Sequence, residues 1–441
     1  MPAGAHAVKE AGLVTSLGGQ FQSTSPPRQQ VELKKPLQDL NVATEKETAL
    51  PHRRRKRNQA LSEEVDGKHD IPLDASSQLS ALSSASPLNS FRQRFFTYLS
   101  LSKPRLSFLI VLTTTTAYSL FPVVVDPLSA SMNLSPLTLL NLTTGTALSC
   151  ASANAFNMIL EPAHDAKMSR TRNRPLVRGL VTPRAAIIFA VLTGLGGVGL
   201  LHFGVNPTVA FLSALNIGLY AGVYTPLKRI SVINTWVGAL VGGIPPLMGW
   251  AAAAGQATPL VDPGWRDLLF DPATSAGGWL LAALLVAWQF PHFYALAYTI
   301  RHEYAAAGYR MLSSSNPKKA ALISLRYSLV MFPVCAGLSY VGVTSWGFAV
   351  TSGGVNAWMV RGAWRFWREA GGKGTARGLF WASVWYLPLV LVLAMVFKKG
   401  LWQRFVNGGF EDEELYEYVH EAEEDDPRRR SLSLAVDEGA S

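Results

Sequence analysis

Cysteine is nearly absent from this chain: Cys150 and Cys335 are the only two in 441 residues, and no CxxC occurs. That excludes a disulfide framework and a cysteine-built metal site, and leaves both thiols as inert core residues. Charge is scarce as well, at 16% of residues, and no internal repeat of solenoid length is visible. A solenoid is therefore excluded. The first 30 residues hold only Lys9 and Arg28 against Glu10, too few basic residues for an amphipathic presequence there. A leader signal is better sought in the run Arg53 to Arg57 and the Ser-rich stretch 76 to 90.

The chain does have long apolar runs. Hydrophobic residues make up 49% of the composition, concentrated between polar ends. Residues 1–95 are rich in Ser, Gln, Lys and Glu without sustained apolar periodicity and read as disordered. Residues 401–441 read as a solvated acidic tail. Between them, residues 96–400 read as an all-α integral membrane domain with nine transmembrane helices. The expected spans lie near 105–123, 138–160, 184–204, 206–224, 234–253, 277–300, 320–343, 345–360 and 379–397.

With that count, almost all loop Lys and Arg fall on one side: Arg92 to Arg105, the 167–184 cluster, Lys228 and Arg229, Arg301 to Lys319, and Arg361 to Arg377. Such asymmetry is the mark of membrane orientation. It also explains the net charge of +10 without nucleic acid, because the basic residues sit in short loops rather than on one soluble surface.

One stretch carries the chemistry. Asn157, Glu161 and Asp165 follow at four-residue steps, and at about 100° per residue they fall within roughly 80° of arc on one helix face. Two carboxylates at a membrane boundary repel each other and lose solvation unless a positive charge sits between them. A hard divalent cation is the usual answer, and Mg²⁺ is commonly held by one or two carboxylates plus substrate phosphate oxygens. Lys167, Arg170, Arg172, Arg174 and Arg178 follow at once and suit the rest of a diphosphate. The plain alternative is a capped helix end followed by an ordinary basic loop. Pro162 interrupts the motif and is expected to kink the helix there.

Two other constellations join it. Tyr224-Thr225-Pro226-Leu227-Lys228-Arg229 precedes a Gly- and Pro-broken helix at Gly242 to Pro246, a pattern tolerated where a helix lines a cavity. Further on, Trp288-Gln289-Phe290-Pro291-His292-Phe293 leads to Arg301 and Glu303. On a continuous helix, His292, Thr299 and Glu303 would share one face. A lone histidine is more often a hydrogen-bonded core residue, but one beside a proline inside a membrane is a candidate site.

Taken in order, these motifs resemble the UbiA superfamily of intramembrane prenyltransferases, over residues 100–397, and most of all its heme-farnesylating branch. The resemblance implies nine helices around a lateral cavity, and transfer of farnesyl from farnesyl diphosphate to the vinyl group of heme B. It implies Mg²⁺ as cofactor on Asn157, Glu161 and Asp165, with Arg170 and Arg174 completing the catalytic set. Arg170, Arg174, Lys228, Arg229 and Arg301 would bind diphosphate; His292, Tyr224 and Glu303 would face heme. It further implies a multi-pass protein of the mitochondrial inner membrane, N-terminus and active face toward the matrix, whose apolar product passes to a heme A synthase. The second acidic motif of the superfamily is replaced here by His292 and Glu303. Three alternatives are a UbiA-type enzyme acting on an aromatic quinone precursor, an ion-coupled transporter built from inverted half-repeats, and a scaffold without chemistry. The half-repeats are not visible, and a scaffold leaves the adjacent carboxylates unexplained.

Overall fold

The helix starts are written in a recurring pair of residues. Ser135-Pro136, Thr182-Pro183, Asn206-Pro207 and Asn316-Pro317 each open a helix, the polar side chain accepting from the backbone N–H three residues on. Proline at the first helical position loses nothing, since its missing N–H would have no helical partner there. Lys103-Pro104 breaks this pattern, because lysine cannot cap and here adopts φ 48°.

The computed structural model describes residues 75–87, 90–122, 134–258 and 263–401. In chain order the helices are α1 (Ala75–Ala85), α2 (Phe91–Leu101), α3 (Pro104–Leu120), α4 (Pro136–Leu160), α5 (Pro162–Asp165), α6 (Pro183–Gly204) and α7 (Pro207–Gly218). A π-helical stretch, Leu219–Tyr224, continues α7 into α8 (Thr225–Ile230). Then come α9 (Asn234–Ala257), α10 (Trp265–Leu269), α11 (Ser275–Thr299), α12 (Arg301–Ala306), α13 (Leu312–Ser315), α14 (Pro317–Tyr340), α15 (Trp346–Arg368) and α16 (Thr375–Val396). The described residues contain no named strand.

All nine expected apolar segments fall on helices, but the expected count of nine crossings is not established. Among the described residues six helices are long and apolar enough to span: 183–204, 207–230, 234–257, 275–299, 317–340 and 375–396. A seventh is gained if α2 and α3, bent by 58°, form one broken span. The bundle has two halves. Helices α3, α4, α6, α7 and α9 pack among themselves, α11 packs on α14 and α16, α15 joins those two, and α9 against α11 forms the seam. Helix α16 also returns to α3.

Packing without a hydrophobic drive relies on small residues and hydroxyls. Ser152 Oγ donates to the Ala190 carbonyl at 2.7 Å and Ser213 Oγ to Ser149 Oγ at 2.7 Å. The same chemistry corrects the expectation of disorder up to residue 95. The described part of that region contains α1, whose Ser76, Ser80 and Ser83 are buried against α2. Ser76 and Ser80 bond Ser100, and Ser83 bonds Thr97. A helix glued by hydroxyls leaves no apolar periodicity in its sequence. Residues 1–74 and 402–441 lie outside the described residues, and with them the Arg53 to Arg57 run and the acidic tail.

Helices α3 and α9 meet backbone to backbone at Gly249, where an added Cβ would run into the Thr114 carbonyl oxygen. Gly249→Ala is expected to lower stability by about 1–3 kcal/mol through overpacking, read as a lower thermal midpoint in detergent. Gly353→Ala, at a position with open space around it, is expected to show no loss.

Candidate active site

Pro162 has no N–H and pushes the residue before it out of the helical region. Helix α4 accordingly stops at Leu160, and Glu161 takes φ −124°, ψ 25°. The chain resumes helical form at once, with the Asp165 N–H donating to the Glu161 carbonyl at 2.9 Å. The expected kink is therefore a full break. Asn157, Glu161 and Asp165 are all buried, at 2%, 1% and 3% exposure.

The positive charge that the two carboxylates demand is supplied by the chain itself. Arg174 forks onto Asp165, its Nη1 donating to both oxygens at 2.8 and 2.7 Å. Lys228 Nζ donates to Glu161 Oε2 at 2.6 Å. Asn157 orients the pair, its Nδ2 donating to Glu161 Oε2 at 2.9 Å and to Thr225 Oγ1 at 3.0 Å. Its own oxygen accepts from Lys103 Nζ at 2.7 Å. Lys103 thus reaches the site from the left-handed backbone position that set it apart among the helix starts. Neighbouring rings surround Lys228, with Tyr224 and Tyr309 centred 5.0 and 5.7 Å from its amine. Burial first, then the Glu161 and Asp165 charges, raise the Tyr309 phenol well above its ordinary value against the pull of Arg174. It stays a neutral donor beside Glu161.

The donor set was tested for a hard cation. Glu161 Oε1 is buried and has no hydrogen-bond partner, and an orphaned carboxylate oxygen calls for a ligand. Among the described residues no three His, Cys, Asp or Glu side chains converge. Two carboxylates and an amide suit an ion that completes its shell with water and phosphate oxygens, which is the habit of Mg²⁺.

The other expected residues divide between positions. Arg170 has no hydrogen bond or ion pair from its guanidinium among the described residues, and its charge acts on Tyr304 and on His292. Its loop is held from both sides: Glu303 accepts from the Ser169 N–H at 2.8 Å and hydroxyl at 2.7 Å, and Ser77 Oγ of α1 donates to the Arg170 carbonyl at 3.0 Å. Glu303 does not share a helical face with His292, because α11 ends at Thr299 and Ile300 breaks the helix before α12. His292 instead contacts Ser383 Oγ through Nδ1 at 2.9 Å and stacks between Trp288 and Phe380. Arg301 lies over the Tyr298 ring at 4.2 Å. Arg229 is half-buried with no ion pair among the described residues, and Lys167, Arg172 and Arg178 are exposed.

Above this polar cluster an apolar cavity of about 160 Å³ opens between α3, α4, α7, α9 and α11. Tyr220, Asn154, Trp288 and Gln289 are among its lining residues. Tyr220 also receives a long contact from Lys103 Nζ at 3.5 Å, so cavity and cluster adjoin.

Sequence reasoning missed Lys103 and Tyr309 as site residues. Lys103 reads as orientation charge, and its only local signal is a lysine where neighbouring helix starts carry Ser, Thr or Asn. Tyr309 comes from a loop more than 140 residues from Glu161 in sequence, and nothing local marks it.

The UbiA prenyltransferase family profile matches residues 119–384. The chain is 52% identical to the mitochondrial protoheme IX farnesyltransferase of Emericella nidulans, over 91% of this chain and 81% of that one. It is 58% identical to the Neurospora crassa protein of the same name, over 80% of this chain and 70% of that one. Among solved structures, a UbiA homolog from Aeropyrum pernix K1 shares the fold with TM-score 0.50 at 18% identity, covering 66% of this chain and 97% of that one. A digeranylgeranylglyceryl phosphate synthase structure shares it with TM-score 0.55 at 14% identity, covering 69% and 98%.

Removing one member of a buried ion pair strands the other. Lys228→Met is expected to cost about 3–5 kcal/mol of stability, measured by unfolding in detergent. Adding Glu161→Gln is expected to recover most of that loss while leaving the protein inactive, separating the pair's structural role from its chemical one.

Proposed function

Because the chain belongs to the UbiA prenyltransferase family, we propose that it transfers a farnesyl group from farnesyl diphosphate to the vinyl side chain of heme B, giving heme O. The observation that carries this reading is the meeting of a cation-rich polar cluster with an apolar cavity. Arg174 and Lys228 pair with the two carboxylates, Lys103 reaches the Asn157 amide beside them, and Arg170 stands on the adjoining loop. The relatives' shared name supports the choice of heme as acceptor.

Ionising an allylic diphosphate breaks the C–O bond, and the electron pair leaves with the diphosphate. The departing oxygens carry high negative charge, and Lys103, Lys228, Arg170 and Arg174 are the side chains able to hold them, with Arg301 and Arg229 on the same basic face. Mg²⁺ held by Asn157, Glu161 and Asp165 would supply Lewis acidity to those oxygens. The allylic cation lies in the apolar cavity, where Tyr220 and Trp288 offer ring faces and water is excluded. The vinyl π pair then makes the carbon–carbon bond, and water adds as hydroxyl with loss of a proton. His292, stacked against Trp288, which itself lines the cavity, is our candidate for contact with the porphyrin, with Tyr224 and Glu303 on the acceptor side; imidazole is a common axial ligand of heme iron.

Apolar helices and mitochondrially named relatives support a membrane protein of the mitochondrion. We further propose the inner membrane, with the basic face toward the matrix, and transfer of product to a heme A synthase because heme O is ill suited to diffusion through water.

The test is a product assay on purified protein with heme B, farnesyl diphosphate and Mg²⁺, analysed by mass for hydroxyethylfarnesyl heme. Wild type is expected to form it, and Asp165→Asn to fall at least tenfold, a loss of about 1.4 kcal/mol in barrier stabilisation. Prenylation of an aromatic acid with no heme product would keep the family and overturn the acceptor. In the same assay His292→Ala is expected to depress heme turnover while sparing farnesyl diphosphate binding; if both are unchanged, the histidine has no part in acceptor recognition.

A further inference from the structure

One basic cluster is left unused by this chemistry. At the end of α15, Arg361, Arg365 and Arg368 follow at four and three residues, a spacing that sets them along one helix face. Across from them the turn between α15 and α16 carries Lys373. All four are exposed, and no carboxylate pairs with any of them among the described residues. The turn holds Lys373 by force of backbone geometry: Ala370, Gly371, Lys373 and Gly374 all take positive φ, from 47° to 86°. Two of the four are not glycine, and such conformations persist only where the surroundings impose them. Here Gly371 is buried so tightly that a Cβ would meet the Tyr298 ring, which also stacks edge-on with Phe366.

Between these walls runs an open groove of about 290 Å³ lined by Trp358, Arg361, Arg365, Lys373, Gly378 and Ala382. Its floor is made of small residues, and a Cβ at Gly378 would meet nothing within 4 Å. The two ends differ in chemistry. At the helix ends stand the guanidinium groups and the amine; further along the groove is lined by half-exposed Trp358, and α16 also exposes Trp381 and Trp385. Exposed tryptophans are enriched where membrane helices meet the interface. Orientation of the chain needs only a count of positive loop charges. It does not need three cations converging on a groove, a glycine floor that leaves it empty, or a strained turn that fixes the third cation.

We propose that this groove binds the phosphate of an anionic phospholipid, with the headgroup between Arg361, Arg365 and Lys373 and an acyl chain along Trp358. Guanidinium forks match phosphate oxygens two at a time, and basic pockets between membrane helices are suited to anionic headgroups. The aromatic wall favours a lipid over free phosphate, which has no apolar part to lay there. The neighbouring Tyr298 also carries Arg301 on its face, so an occupied groove would brace the end of α11 beside the active loop.

The experiment titrates the full-length protein in neutral detergent with short-chain phosphatidylglycerol, and separately with short-chain phosphatidylcholine and inorganic phosphate, reading the thermal midpoint and native mass. Phosphatidylglycerol is expected to raise the wild-type midpoint and to appear as a bound adduct, with little effect from the other two. The triple variant Arg361→Gln, Arg365→Gln, Lys373→Gln is expected to weaken the lipid by at least about tenfold. Gly378→Leu, which fills the groove and alters no charge, is expected to do the same. A control that removes three exposed charges elsewhere, Arg178→Gln, Lys318→Gln and Lys319→Gln, is expected to keep wild-type affinity. Equal weakening by the control, unchanged affinity in Gly378→Leu, or no preference for phosphatidylglycerol over phosphatidylcholine would each overturn the proposal. An equal response to inorganic phosphate would overturn the lipid and leave an anion site.

Discussion

Burying two carboxylates at the edge of an apolar bundle is the constraint around which this molecule is arranged. An isolated ionised carboxylate in such a medium is far too costly to persist, so each must carry a partner wherever the chain can bring one. Arg174 is close in sequence and takes both oxygens of Asp165. Glu161 has no such neighbour and recruits Lys228 from 67 residues away. Both partners are cations that a diphosphate also wants. The resting site is thus held together by the groups that its substrate would claim.

How much of this could be read beforehand depended on the range over which each residue acts. The positions of the long helices follow from local composition and are where the sequence puts them; the four-residue spacing of the carboxylate motif implies one helix face, which the break at Glu161 interrupts. The break at Glu161 was foreshadowed by Pro162, though only as a kink. Glu303 was assigned with His292 on the premise of a continuous helix; the helix ends at Thr299, and Glu303 turns to Ser169 instead. Lys103 and Tyr309 join the site through tertiary contacts that leave no local trace. The Ser-rich stretch was misread for a different reason. Hydroxyl-bonded packing has the composition of a disordered segment, and only the geometry of α1 against α2 separates the two.

Helix α1 also ties the site to a part of the chain that the family profile does not cover, since the match begins at residue 119. Through Ser77 it holds the carbonyl of Arg170, while Glu303 holds Ser169 from the opposite side. The loop that carries the unpaired guanidinium is therefore clasped by two segments far apart in sequence. Its backbone is fixed while the Arg170 guanidinium remains available.

The 67-residue separation between Glu161 and Lys228 has a consequence for how the protein is made. Where helices enter the membrane in sequence order, Glu161 arrives before its partner does. Until α6, α7 and the π-helical stretch have joined the bundle, that carboxylate has no cation to meet and pulls the end of α4 toward water. The pair closes only once those later helices are seated. A chain stalled or cut between residues 161 and 228 would retain an acid that cannot be buried, which marks it chemically as unfinished.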